Sequence, residues 1–359
     1  MIYPEYTILP MLKVFIVFGF FYIFLPSRVI VFSKEADSFL DKVFISLTHS
    51  CFITVVIVYF LSFLKIYETV SLIFCCVLVY FIVTSGKGGT FKDRATALGI
   101  KWIVNILDMS EGRLGLKQEA KIRIRRWFKS FWKNIGTGVK NFFLKPFNGI
   151  FLFAVLVSAA YFRFNHALNH LYFGASDSYV HLAWTKYLGD NLIYQDGIYP
   201  YGYHSIISAL NKIFFIDPYH LLRFLGPLAG FLIVLSIYYT VKASFKNIYT
   251  AWLAVFLYTF GLWLPSGVWR QISALPQEFA GIFFLPGIHF LNLFFKTEKR
   301  IYLFLACECL ALTVFIHPYV TVFLAIGYIL VMLVNLKKLL VLKNLAVTAV
   351  SVALSVVIG

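Results

Sequence analysis

Residues 43–64, VFISLTHSCFITVVIVYFLSFL, run for 22 positions without a Lys, Arg, Asp or Glu. At about 1.5 Å per residue such a helix is about 33 Å long, enough to cross a hydrocarbon core about 30 Å thick. In lipid every backbone polar group must be bonded within the protein, so the stretch reads as a transmembrane helix. The same reading applies near 9–27, 68–85, 148–164, 219–241, 248–264, 277–295, 301–316, 319–336 and 344–359, which makes about ten spans. The chain of 359 residues is 60% hydrophobic and 13% charged, with a mean hydropathy of +0.82. These values place it outside the soluble globular class and predict an all-α, polytopic transmembrane helical bundle. Pro4, Glu5 and Pro10 at the first span, with no small-residue cleavage pattern behind it, mark a retained helix and not a signal peptide. The sequence stops at Ser355–Gly359 inside an apolar stretch, which reads as an incomplete last span.

A net charge of +16 would point to nucleic acid in a soluble protein, but its distribution follows membrane topology. Between Lys87 and Lys145 there are fourteen Lys/Arg against four Asp/Glu, the density of a cytoplasmic loop facing anionic lipid. Counting spans from there puts Lys242 and Lys246, then Lys296, Lys299 and Arg300, then Lys337, Lys338 and Lys343 on the same inner side. The opposite loops are poor in cations, with Lys186 alone between 165 and 200 and Arg270 alone in the next. The count holds only if 201–216 lies along the interface and does not span, and it sets the N-terminus outside. Nucleic acid is therefore not an expected partner, whereas membrane lipid is. All five cysteines fall within spans, with no disulfide or metal spacing, and read as packing residues.

Three parts follow: an N-terminal three-span unit (1–86), a basic cytoplasmic linker (87–147) and a transmembrane core (148–359) with an outer loop at 165–218. In the linker, Ile124, Trp127, Phe128, Phe131, Trp132, Ile135, Val139 and Phe142 recur three or four apart among Arg and Lys. That is the pattern of an amphipathic helix lying flat on the inner leaflet.

The outer loop carries the chemistry. Ser176 can cap a helix whose first residue is Asp177, His181 then lies one turn on along the same face, and Trp184 is beside it. Tyr199-Pro-Tyr-Gly-Tyr-His204 follows, with Pro200 suited to start a second interfacial helix and Tyr201 among rings that can stack on sugars. An Asp beside a titratable His is a workable acid/base pair or pair of metal ligands, so a divalent ion, Mg or Mn, on Asp177 and His181 is one reading. Glu278 and His317 face the same side, as does Arg270, which suits a phosphate. His289, inside an apolar span, reads as a packing histidine.

This layout resembles the GT-C superfamily of polytopic glycosyltransferases, which includes the protein O-mannosyltransferases, the aminoarabinose transferases and the oligosaccharyltransferases. The resemblance rests on the Asp177-x-x-x-His181 and Tyr199-Pro-x-Gly-x-His204 patterns, on interfacial helices after the loop, and on Arg223 near the start of the next span. It covers about 148–335. The adjacent acidic pair of the O-mannosyltransferases is absent, since Ser178 follows Asp177. The resemblance implies transfer of a sugar from a polyprenyl-phosphate donor to an acceptor hydroxyl at the outer face, with Asp177 as general base. His204, Arg223 and Arg270 are then the candidates for the leaving phosphate. A transporter or flippase for a lipid-linked or polar substrate is the alternative, and it would place ionisable groups at mid-membrane between broken helices.

Overall fold

The computed structural model describes residues 6–29, 38–85, 125, 146–261 and 268–341. Among them every regular element is helical, and five helices are long and apolar enough to cross a membrane: Ile8–Ser27, Phe39–Phe63, Gly149–Asn169, Pro218–Phe245 and Pro276–Thr297. That is the architecture of a membrane-embedded protein. Helices occupy nine of the ten expected windows. The tenth window, 344–359, and nearly all of the basic linker lie outside the described residues.

In chain order, α1 (Ile8–Phe18) continues through a wide π turn (Gly19–Phe24) into α2 (Leu25–Val29), followed by α3 (Phe39–Phe63) and α4 (Thr69–Ser85). After the linker come α5 (Pro146–Asn169), α6 (Asp177–Gly189), α7 (Gly202–Phe214), α8 (Pro218–Phe245) and α9 (Ile248–Phe260). The chain finishes with α10 (Val268–Gln271), α11 (Pro276–Thr297), α12 (Arg300–Ile316), α13 (Pro318–Val334) and α14 (Leu336–Leu339). The starts are written in the sequence. Ser38 and Asp41 form a reciprocal capping box at α3, and Asp217 accepts from the Tyr219 amide at α8. Pro218, Pro276 and Pro318 stand in the first turn of three helices, where no amide hydrogen is needed.

Helices α3, α8, α11 and α12 bury most of their surface in a common core. The outward sides of α1, α4 and α13 expose Ile16, Val70, Phe74, Phe323 and Val334, an apolar surface suited to lipid.

The described residues within Met1–Leu78 and Val157–Gly359 form one compact unit. The Tyr201 amide donates to Tyr59 Oη at 2.6 Å, and the Tyr67 amide and hydroxyl donate to Asn191 Oδ1 at 2.8 Å and Ser208 Oγ at 3.1 Å. Lys212 pairs with Glu68 at 3.2 Å. One expectation changes at α7, a helix of 13 residues that is not laid along a surface. Tyr201–Leu210 are all buried, between α3, α6, α8 and α12. Gly202 permits this, because a Cβ there would lie 2.7 Å from the Phe315 carbonyl oxygen. Pro200 precedes this helix and does not begin it.

Candidate functional site

Helix α6 turns one side inward, burying Ser178, His181, Thr185 and Leu188 at helical spacing. Asp177 is its first residue and is exposed, with Ser176 Oγ at 3.5 Å. Ser176 is in the helical region of backbone space and makes no side-chain cap, because a cap needs an extended backbone at that position. Asp177 therefore stands at the rim, its charge acting on His181 and on Tyr199.

Beneath the rim, His181 Nδ1 lies 3.1 Å from His204 Nε2, at 5% and 0% exposure. One ring donates and the other accepts. Burial pushes His181 down to about 4, opposed by Asp177 and assisted by His317, and it drives His204 well below the usual range, with His181 adding to the effect. The pair is thus neutral near pH 7, and His204 offers hydrogen bonding and not positive charge. Aromatic rings close round it. Trp184 lies 4.7 Å from Tyr199, stacks on Tyr201 at 6.0 Å, and donates from Nε1 to Asp196 Oδ2 at 2.9 Å. Burial first, then Asp177, pushes the Tyr199 hydroxyl up to about 12. Tyr199 meets His317 at 6.4 Å, and His317 stacks on Tyr319 at 5.6 Å. Burial and the charge of Arg270 hold His317 down.

Tyr319 lines a cavity of about 780 Å³ whose walls include Ile233, Ile237, Phe284 and Phe323 and whose polar part holds Tyr258, Arg270, Gln277 and Glu278. Arg270 Nε is 3.8 Å from Glu278 Oε1, and Gln277 Nε2 donates to the same oxygen at 3.2 Å. Behind it lies a residue the sequence reading passed over. Arg163 of α5 is 0% exposed, its Nη1 donates to the Ala159 carbonyl at 3.2 Å, and Nε and Nη2 have no hydrogen-bond partner among the described residues. Its guanidinium stands 5.7 Å from the Tyr258 ring centre, and its charge acts on Glu278. A cation within an otherwise apolar span was the signal that could have found it.

Of the expected residues, Asp177, His181, Tyr201, His204 and His317 gather round one aromatic cluster, and Arg270 and Glu278 share the cavity that Tyr319 joins to it. Arg223 goes elsewhere. Its Nε and Nη2 donate to the Ala167 carbonyl at 3.0 and 2.6 Å and its Nη1 to the Tyr6 carbonyl at 2.8 Å. Ala167 belongs to the last turn of α5, where carbonyls lack helical partners, so this guanidinium ties α8 to α5 and α1. For a metal, Asp177 and His181 are a thin donor set: His181 Nδ1 is engaged by His204. Among the described residues no group of three His, Cys, Asp or Glu can hold an ion.

Acidification should act on the buried pair. Its protonation is suppressed in the folded state, so between about 6.5 and about 4 the unfolded chain binds protons that the folded chain refuses. Stability is complete above that window and is lost as pH falls through it. The melting temperature in detergent should therefore drop between about pH 7 and pH 5, and His181→Asn should flatten that slope. An equal slope in the variant would remove the pair as its source.

No protein-family model, curated protein or solved structure matches this chain.

Proposed function

We propose that this chain is a multi-pass membrane glycosyltransferase that moves a sugar from a polyprenyl-phosphate donor to an acceptor hydroxyl at the outer face of the cell membrane. On this reading about ten helices span, the N-terminus is outside, and 87–147 is cytoplasmic with its amphipathic helix on the inner leaflet. The observation that carries the proposal is the charge of the cavity. Arg270 lines an otherwise apolar space of about 780 Å³ beside Glu278, and the charge of the buried Arg163, outside its lining, acts on the same carboxylate. The surplus positive charge suits a phosphate and the apolar walls suit an isoprenoid chain.

The chemistry then runs at the adjoining aromatic cluster. Asp177 takes the acceptor hydroxyl proton as that oxygen attacks the anomeric carbon, and the bond from that carbon to the phosphate oxygen breaks with inversion. The phosphate leaves with the electron pair, stabilised by Arg270 with Arg163 behind it. Trp184 and Tyr199 offer faces on which a sugar ring stacks, and the neutral His181–His204 pair fixes α6 against α7 beneath them. The Asp177-x-x-x-His181 and Tyr199-Pro-x-Gly-x-His204 patterns, which resemble those of the GT-C superfamily, support this assignment. Proline within α8 and α11, at Pro227 and Pro286, supports the second reading, a transporter for a lipid-linked substrate.

Labelled polyprenyl-phosphate sugar in proteoliposomes tests the two. The transferase reading expects labelled product and a KM for donor raised about tenfold or more by Arg270→Ala, through loss of a charge-assisted contact to the phosphate. Movement of intact donor across the bilayer with no product would support transport instead.

A further inference from the structure

A second buried ionisable pair lies away from this cluster, in the middle of two helices. His49 is the eleventh of 25 residues in α3 and Glu308 the ninth of 17 in α12. His49 Nδ1 and Glu308 Oε1 are 2.5 Å apart, at 8% and 2% exposure. Around them are the Phe304 ring, centred 5.9 Å from the imidazole, and the Thr48–Cys309 contact at 3.8 Å. Among the described residues Glu308 Oε2 has no hydrogen-bond partner, and the imidazole is what holds the carboxyl.

We propose that His49 and Glu308 form an intramembrane proton-binding site, and that the single proton they share keeps α3 docked on α12. The reasoning is electrostatic. With that proton on Nδ1 or on Oε1 the pair is net neutral, and an apolar seam tolerates it. Without it a bare carboxylate is left in the seam, and with a second proton an unpaired imidazolium, and either charge costs far more than a neutral group. Among the described residues, the charge acting on each partner is that of the other. On α3 and α12 the titratable neighbours are Cys51, Cys307 and Cys309, while Tyr302 lies six residues away, Lys42 seven, and Asp41 and Arg300 eight, about 9–12 Å along their helices. Of the other elements packed on α3, α2 carries Arg28, the π turn Tyr22, α7 Tyr203, His204 and Lys212, and α8 Tyr219, His220, Arg223, Tyr238, Tyr239 and Lys242. Tyr22 donates to Ile206, Arg223 to Ala167 and Tyr6, and Lys212 to Glu68, so these are already committed elsewhere. Of the elements packed on α12, α11 carries Glu278, His289 and Lys296, and α13 carries Tyr319 and Tyr328. Because α3 also supplies Tyr59 to the Tyr201 amide, the seat of α3 reaches the candidate site.

The cysteines report the seam. Cys51, Cys307 and Cys309 are buried, whereas Cys75 and Cys76 on α4 are half-buried and serve as internal reference. With the full chain in nanodiscs, maleimide labelling is read at each cysteine by mass spectrometry. His49→Ala and Glu308→Ala should each raise the Cys309-to-reference ratio about tenfold or more, while a variant carrying both His49→Leu and Glu308→Leu should stay near wild type. The wild-type ratio should also climb at alkaline pH, and the double-leucine protein should stay flat. Single variants labelled at the wild-type rate, or identical pH profiles for wild type and double-leucine protein, would overturn the proposal. If the alanine variants fail to fold, the comparison of those two pH profiles still decides it.

Discussion

Asp177→Ala is expected to slow sugar transfer by about 10²–10⁴, the usual contribution of a positioned general base, with the melting temperature nearly unchanged. The combination follows from where the residue sits. It is exposed, Ser176 is its one hydrogen-bond partner among the described residues, and at 3.5 Å that contact is weak, so the fold loses little when it is removed. Asp177→Asn keeps the shape and removes the basicity, and should lose as much. Steady-state kinetics with donor and acceptor varied separately make the check. The loss belongs in kcat, because a proton-accepting carboxylate acts in the transition state more than in binding. If both variants transfer at the wild-type rate while Glu278→Gln is inactive, the base is the cavity carboxylate and the rim residue has no catalytic part.

Arg223→Ala should give the converse result, a loss of stability on the order of 3–5 kcal/mol that is expressed as poor yield and early melting. Its three donor nitrogens bind two backbone carbonyls, that of Ala167 in α5 and that of Tyr6 just before α1, at 2.6–3.0 Å, and the side chain is 3% exposed. Removing it strands the buried Ala167 carbonyl and releases the part-buried Tyr6 carbonyl. Arg223→Lys keeps the charge but cannot span both carbonyls with a planar fork, so it should recover only part of the loss. Thermal melts in detergent, with donor KM measured on whatever protein survives, separate the roles. A large KM change with normal melting would return Arg223 to the phosphate.

Much of the architecture was legible because lipid imposes a simple rule on length and polarity. The windows at 219–241 and 277–295 became the long helices Pro218–Phe245 and Pro276–Thr297. Pro218, Pro276 and Pro318 each stand one residue before an expected window and in the first turn of the helix that fills it, where a missing amide hydrogen costs nothing. The local relation of Asp177 to His181, one turn apart on α6, was equally readable. Other features depended on partners distant in sequence. No periodicity indicates that His181 meets His204, that Arg223 binds Ala167, or that Tyr67 donates to Ser208. Arg163 and Glu308 each interrupt an apolar helix, and such an interruption marks a residue without naming what satisfies it.

By itself the sequence determined that this chain is helical, apolar on its outer sides and built of membrane-length segments, because backbone satisfaction in lipid leaves a helix as the outcome for each long uncharged stretch. Tertiary structure alone decided which ionisable groups share an environment: two histidines made neutral by burial, two arginines opposite one glutamate, and His49 against Glu308. Those pairings depend on how helices far apart in the chain pack, and packing is fixed by the shapes of whole surfaces, which no single stretch of residues contains.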